Sequence, residues 1–175
     1  MPPTAPRYTS SLLDPKFHDR AAFACGEPSL DAYLKRHASQ DAKRDVARTY
    51  VLSPVNAPAT IAGYYTLSSF AVLLGELPEQ AVRRLPRYDR IPAVLLGRLA
   101  RDLRHRGKGL GELLLMHALE QSLHVSEQVG AHAVVVDALN DQASAFYRRF
   151  GFRPFEDEPR RAYLPMAELR ALFLR

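Results

Sequence analysis

One stretch limits what this chain can fold into more than any other. It reads Arg104-His105-Arg106-Gly107-Lys108-Gly109-Leu110-Gly111, with Leu99-Ala100-Arg101-Asp102-Leu103 before it and Glu112-Leu113-Leu114-Leu115-Met116 after it. An apolar, strand-like run enters a basic, glycine-studded turn, and an apolar helix leaves it. A helix N-terminus exposes unpaired N–H groups at the positive end of its dipole, which makes such a turn an anion cradle. Glycines at 107, 109 and 111 let the backbone approach a phosphate and take positive φ without a steric penalty. Arg104, Arg106 and Lys108 surround the turn with charge. A Walker loop would need Ser or Thr directly after the lysine, and Gly109 stands there instead. A dinucleotide fingerprint would need a third glycine where Glu112 stands. Asp137, closing the next apolar run, could imitate the ribose-binding acid and keeps that reading as a rival.

At 175 residues, 47% of them hydrophobic, the chain suits a single domain with a substantial core. Apolar runs fall short of a membrane span. The start, Met1-Pro2-Pro3-Thr4-Ala5-Pro6, has neither the charged nor the apolar region of a secretory signal. Cys25 is the one cysteine, so no internal disulfide is expected and a reducing cytoplasm is the default. The six histidines lack paired ligand spacing, and no metal is expected. A net charge of +5 favours a polyanionic partner.

In chain order, residues 1–16, with prolines 2, 3, 6 and 15, read as an irregular arm. Ser29 is the expected N-cap of a helix over about residues 30–46, whose apolar stripe is Leu30, Tyr33, Leu34 and Ala38. Asp41 falls on that stripe, where a core helix would avoid it. Arg36 and Lys43 share a face of the same helix. Thr49–Leu52 and Thr60–Leu67 read as a β-hairpin. From Pro78 to Pro92 the chain is irregular and basic, with Arg83, Arg84, Arg87 and Arg90. Ala93–Leu103 is the strand before the turn, and a helix spans Gly107 to about Glu127. Ala133–Ala138 is a continuous apolar strand, which completes a βαβ unit. Asn140 is expected to cap a helix over Asp141–Phe150, closed by Gly151. Phe152–Phe155 and Tyr163–Pro165 are late strands, with Pro165 best placed on an edge.

The spacing Arg104-x-x-Gly107-x-Gly109 resembles the Gln/Arg-x-x-Gly-x-Gly/Ala signature of the GNAT N-acetyltransferases. The element order resembles theirs over nearly the whole chain. That implies an α/β (α+β) fold in which a mixed twisted sheet carries helices on both faces. Phe23-Ala-Cys-Gly, Gly63-Tyr-Tyr-Thr-Leu-Ser, Leu96-Gly-Arg-Leu-Ala and Phe146-Tyr-x-x-Phe-Gly-Phe look more specifically like the GNAT toxins of bacterial toxin–antitoxin pairs. Arg101 departs from the pattern, which calls for a small apolar residue on that strand.

The resemblance implies acetyl-CoA as co-substrate, without a metal. Its pyrophosphate would lie on the Arg104–Gly111 turn and its pantetheine arm along Leu99, Ala100 and Arg101, with Asn140 and Phe146 also at the cofactor. Tyr147 would protonate the leaving sulfur. The acceptor implied is the amino group of aminoacyl-tRNA, held by Arg36, Lys43, Arg83, Arg84 and Arg87. The partner implied is an antitoxin of ribbon–helix–helix type, with a homodimer as one possible assembly. No general base stands out. An α-amino group of pKa ~7.7–8.0 is partly neutral already, whereas a lysine near ~10.4 is not, so aminoacyl-tRNA needs a base less. A small amine, a protein N-terminus, or silent acyl-CoA or nucleic-acid binding are the alternatives. A basic surface counts against a polycationic amine.

Overall fold

The computed structural model describes residues 7–174. Its strands are β1 (Tyr8–Leu12), β2 (Arg48–Pro54), β3 (Gly63–Leu73), β4 (Arg90–Arg101), β5 (Ala133–Asp137), β6 (Arg153–Pro154) and β7 (Arg161–Pro165). They form one mixed sheet in the order β1-β2-β3-β4-β5-β7-β6. The helices are α1 (Pro28–Ala32), α2 (Ala38–Lys43), α3 (Glu79–Val82), α4 (Leu110–Gln128), α5 (Asp141–Arg149) and α6 (Met166–Phe173). Two compact units divide the chain: residues 7–67 with Arg98–Ala118, and Ser68–Gly97 with residues 119–174.

The first unit is built on an antiparallel meander, β1 on β2 and β2 on β3, with Val51 opposite Tyr64 and Leu52 opposite Gly63. The hairpin expected from Thr49–Leu52 and Thr60–Leu67 is this β2–β3 pair. The irregular arm needs correction: residues 1–6 lie outside the described residues, and Tyr8–Leu12 is an edge strand. Its Thr9, Ser10 and Ser11 are satisfied by the ladder to β2, so it needs little apolar periodicity of its own. The expected helix begins earlier than Ser29. Pro28 takes the first helical position, where its fixed φ suits the helix and its missing N–H costs nothing, and Glu27 stands at the N-cap. A π-helical turn, Tyr33–His37, separates α1 from α2. The helix ends at Lys43, short of residue 46, because Asp45 turns to φ 57° and Arg48 Nη1 donates to the Ala42 carbonyl at 2.7 Å. Asp41 sits on the apolar stripe because the Tyr33 hydroxyl donates to its Oδ2 at 2.8 Å. Phe23, Tyr33, Leu34, Ala38, Val51, Ile61, Tyr64 and Ala100 form the core here. At Gly63 any Cβ would fall 2.6 Å from Leu114 Cδ1 and 3.0 Å from the Ala100 carbonyl, so glycine lets α4 and β4 close on β3.

In the second unit β4 and β5 run parallel, Ala93–Leu96 against Ala133–Val136, as the βαβ reading requires. Val134, Val135 and Val136 are fully buried, which explains the unbroken apolar run. Val72, Ala93, Ala133, Val135, Phe155 and Tyr163 make this unit's core. The basic 78–92 stretch contains α3, and β4 begins at Arg90, ahead of Ala93. Asn140 caps α5 as expected, its Oδ1 accepting from the Ala143 N–H at 2.9 Å. Gly151 follows α5 with φ 94°. Pro165 is not on an edge strand: β7 lies between β5 and β6. It is tolerated because it ends β7 opposite Ala133, beyond the Arg153–Tyr163 pair where the β6 register stops.

Candidate active site

The glycine-rich turn is a short 3₁₀ segment, Leu103–His105, followed by Arg106–Gly109 and the first turn of α4. Gly107 and Gly109 have φ of 73° and 70°, the left-handed region, so neither belongs to the helix expected from Gly107. Gly111 lies inside α4 and provides no such turn. A Cβ at Gly107 or Gly109 would meet nothing within 4 Å, so space is open over the loop. Buried Leu110 anchors the helix start, while Arg106 and Lys108 stand exposed. A 19-residue helix with its N-terminus facing open space, backed by two exposed cations, fits a bound diphosphate.

Arg104 does something other than flank the turn. Its Nε donates to Asp102 Oδ1 at 2.8 Å and its Nη2 to Oδ2 at 3.1 Å. Asp102, 1% exposed, also accepts from the backbone N–H groups of Arg104 at 2.8 Å and Ala24 at 3.1 Å. The Asp102 N–H in turn donates to the Ala62 carbonyl at 2.8 Å. Burial alone would raise the Asp102 pKa, but the hydrogen bonds from Arg104 and Ala24, with the Arg104 charge, hold it below the usual carboxylate range. Asp102 therefore clasps the root of the turn, a role that sequence reading did not assign. A folded-state pKa below the unfolded one stabilises at neutral pH and stops doing so as pH falls through it. Asp102→Asn is expected to cost about 1–3 kcal/mol at pH 7 and to narrow the gap to wild type below about pH 4. Denaturant titrations at both pH values check this; an unchanging gap would show that the charge is not what stabilises.

β4 carries the turn on its end. Its parallel register with β5 stops at Leu96, and the strand runs on through Gly97, Arg98, Leu99, Ala100 and Arg101. Ala100 is buried with Tyr64 and Tyr33, and the Arg98 guanidinium lies 3.5 Å over the Tyr33 ring. Burial, followed by the hydrogen bond to Asp41, pushes the Tyr33 phenol up to about 12. Leu99 is half-buried, as is Arg101, whose Nε is shut off from solvent with no hydrogen-bond partner. His105 Nδ1 lies 3.1 Å from the Tyr8 hydroxyl; burial and then the Lys108 charge hold its pKa below the ordinary value.

Tyr147, on α5 in the second unit, is 7% exposed. Its ring meets Phe152 edge-on at 5.5 Å and Phe146 at 5.4 Å, and burial pushes its phenol pKa well up. Such a phenol keeps its proton at any physiological pH. Asn140 and Phe146 serve that helix: one caps it and the other packs beside the tyrosine. Asp137, the acid of the dinucleotide reading, is held by Arg161 through contacts of 2.7 and 3.3 Å, so its carboxylate is committed. Arg36 and Lys43 are exposed in the first unit, and Arg83, Arg84 and Arg87 in the second. None of the five makes an ion pair among the described residues.

Comparison with known proteins places the chain among acetyltransferases. A family model described as an acetyltransferase (GNAT) domain matches residues 72–154. A probable toxin TacT of Sinorhizobium fredii is 35% identical over 167 residues, covering 91% of this chain and 92% of the relative. A tRNA-acetylating toxin of Mycobacterium tuberculosis is 35% identical over 154 residues, covering 88% and 90%. Among solved structures, a tyrosine-to-phenylalanine mutant of KacT superposes with TM-score 0.89 at 32% identity, covering 96% of this chain and all of that one. AtaT complexed with acetyl-methionyl-tRNAfMet gives 0.87 at 31% identity, covering 95% and 99%. An AtaT mutant bound to the C-terminus of the antitoxin AtaR and acetyl-CoA gives 0.82 at 30%, covering 97% and 100%.

Proposed function

The chain belongs to the GNAT acetyltransferase family, and from that premise we propose that it moves the acetyl group of acetyl-CoA onto the α-amino group of aminoacyl-tRNA, as the toxin of a toxin–antitoxin pair. The observation that carries the substrate is likeness along nine-tenths of the chain to a tRNA-acetylating toxin. The AtaT complex with an acetylated aminoacyl-tRNA supports the same reading.

Acetyl-CoA supplies an acyl group activated as a thioester. The backbone N–H groups of Arg106–Gly111, with the charges of Arg106 and Lys108, hold its pyrophosphate. The pantetheine arm lies along Leu99–Arg101, and a backbone N–H of that strand receives the carbonyl oxygen as negative charge develops on it. The amine nitrogen bonds to the carbonyl carbon, and the carbon–sulfur bond breaks. The Tyr147 hydroxyl gives the departing sulfur its proton, and the proton of the amine leaves to water. Arg104 acts through Asp102, shaping the turn. Arg36, Lys43, Arg83, Arg84 and Arg87 hold the phosphates of the acceptor stem. The antitoxin of the proposal carries a ribbon–helix–helix DNA-binding part and acidic surface complementary to a +5 chain. Assembly as a homodimer and residence in the cytoplasm, where charged tRNA is found, complete it.

Incubation with acetyl-CoA and total charged tRNA, followed by mass analysis of the aminoacyl esters, should show acetyl on a subset of amino acids. No acetylated ester would overturn the reading. Because phosphate contacts release counterions, the rate on charged tRNA should fall steeply with salt and that on a bare aminoacyl ester should not. Replacing the five basic residues with glutamine should flatten the tRNA slope, by about 0.7–0.9 in log–log terms for each phosphate no longer neutralised. Equal slopes for both substrates would remove these residues from tRNA recognition.

A further inference from the structure

Arg101 stands where the strand needs only its backbone, and where a small apolar side chain would serve packing best. Alternation along β4 settles which way it faces. Ala100 shares the apolar cluster of Tyr64 and Tyr33, on the side of the π-helical turn. Asp102, two residues on from Ala100, reaches the Ala24 N–H on that side. On β3 the neighbour of Tyr64, Gly63, faces Leu114 of α4. Arg101 therefore lies on the α4 face of the strand, one residue before the turn that leads into that helix. Its Nε is closed to solvent without a hydrogen-bond acceptor. The carboxylate beside it, Asp102, points the other way and is taken by Arg104. No ion pair of Arg101 occurs among the described residues.

Arg101 is only half-buried, so its guanidinium is shut off at Nε alone. A partly enclosed charge with no acceptor costs free energy, and a ligand that brings negative charge to its open end would offset it. The open space over Gly107 and Gly109 is where such charge would lie. We propose that Arg101 is a side-chain phosphate contact of the acetyl-CoA site, donating charge-assisted hydrogen bonds to the pyrophosphate that the turn receives through its backbone. This rests on the acetyl-CoA reading of the turn and adds an ionic anchor to a strand that the reading uses only through its main chain. A guanidinium fork suits phosphate geometry better than an ammonium does.

The test is equilibrium binding of acetyl-CoA to the intact protein at several salt concentrations, by calorimetry, for wild type, Arg101→Met and Arg101→Lys. Arg101→Met should bind about 10- to 100-fold more weakly, with a flatter dependence of log affinity on log salt. Arg101→Lys should fall between the two and keep most of the salt slope. The unliganded Arg101→Met protein should melt at or above the wild-type temperature, since an enclosed unpaired donor is gone. Wild-type affinity in Arg101→Met, or weaker binding with an unchanged salt slope, would overturn the contact and leave the acetyl-CoA reading intact. Absence of acetyl-CoA binding by the wild type would instead overturn that reading. Should Arg101→Met fail to fold, a wild-type salt slope with wild-type affinity in Arg101→Gln would equally overturn the contact.

Discussion

Tyr147→Phe is expected to lower turnover by about 10²–10⁴-fold, the usual worth of general acid–base assistance, while acetyl-CoA affinity stays within about twofold. The hydroxyl is the one group removed. The ring keeps its edge contacts with Phe152 and Phe146, so folding stability should scarcely change. Single-turnover measurement isolates the chemical step from product release, and a rate within a few-fold of wild type there would discard Tyr147 as the proton donor. The pH profile adds an independent check. Burial raises this phenol's pKa above its ordinary value, so wild-type activity should not decline through its ionisation below about pH 10. Activity should climb instead as the acceptor amine loses its proton, through about pH 7.7–8.0 or lower. A declining limb at pH 8–9 that vanishes in Tyr147→Phe would mean that the phenol ionises early and that its environment is wetter than its burial implies.

Gly109→Glu is expected to weaken acetyl-CoA binding by at least about 100-fold, with the fold retained. Two effects act together. At φ 70° a residue with a Cβ is strained by roughly 1–2 kcal/mol. A carboxylate would also stand beside the N-terminus of α4, where a ligand phosphate is held by N–H groups and the positive end of the dipole. Because a Cβ there meets nothing within 4 Å, the weakening does not come from a clash within the protein. Gly109→Asn separates the two effects, since asparagine tolerates the left-handed region and carries no charge. It should keep most of the affinity. Calorimetric titration decides the matter: wild-type affinity in folded Gly109→Glu would place the phosphates elsewhere.

The features legible in the sequence are those whose physical cause is short-range. The Arg104-x-x-Gly107-x-Gly109 spacing is such a case, because positive φ at Gly107 and Gly109 and the helix that starts at Leu110 are settled within a few residues. The buried run Val134–Val136 is another, since a strand enclosed on both faces has no polar side to show. The Asn140 cap bonds Ala143, three positions away. These local signals were enough for the fold class and the family.

What the sequence could not show depends on partners far along the chain. Asp102 reads as a break in an apolar strand until the fold brings the Ala24 N–H, 78 residues away, onto its carboxylate. Asp41 looks misplaced until the π-helical turn sets Tyr33 against it, and a change of helical period leaves no mark on an apolar stripe this short. Tyr8–Leu12 becomes a strand because β2 offers an open edge, not because the segment insists on one. Pro165 escapes the edge rule because the β6 register ends before reaching it. Arg101 is the sharpest instance. Its residue type shows a departure from the pattern, but only the packing of α4 over β3 and β4 reveals which face it occupies and that its Nε lacks an acceptor. Dihedral preference and hydrophobic period act over a few residues and survive in one dimension. Hydrogen-bond satisfaction and burial are properties of three-dimensional neighbours, and only the folded chain assigns them.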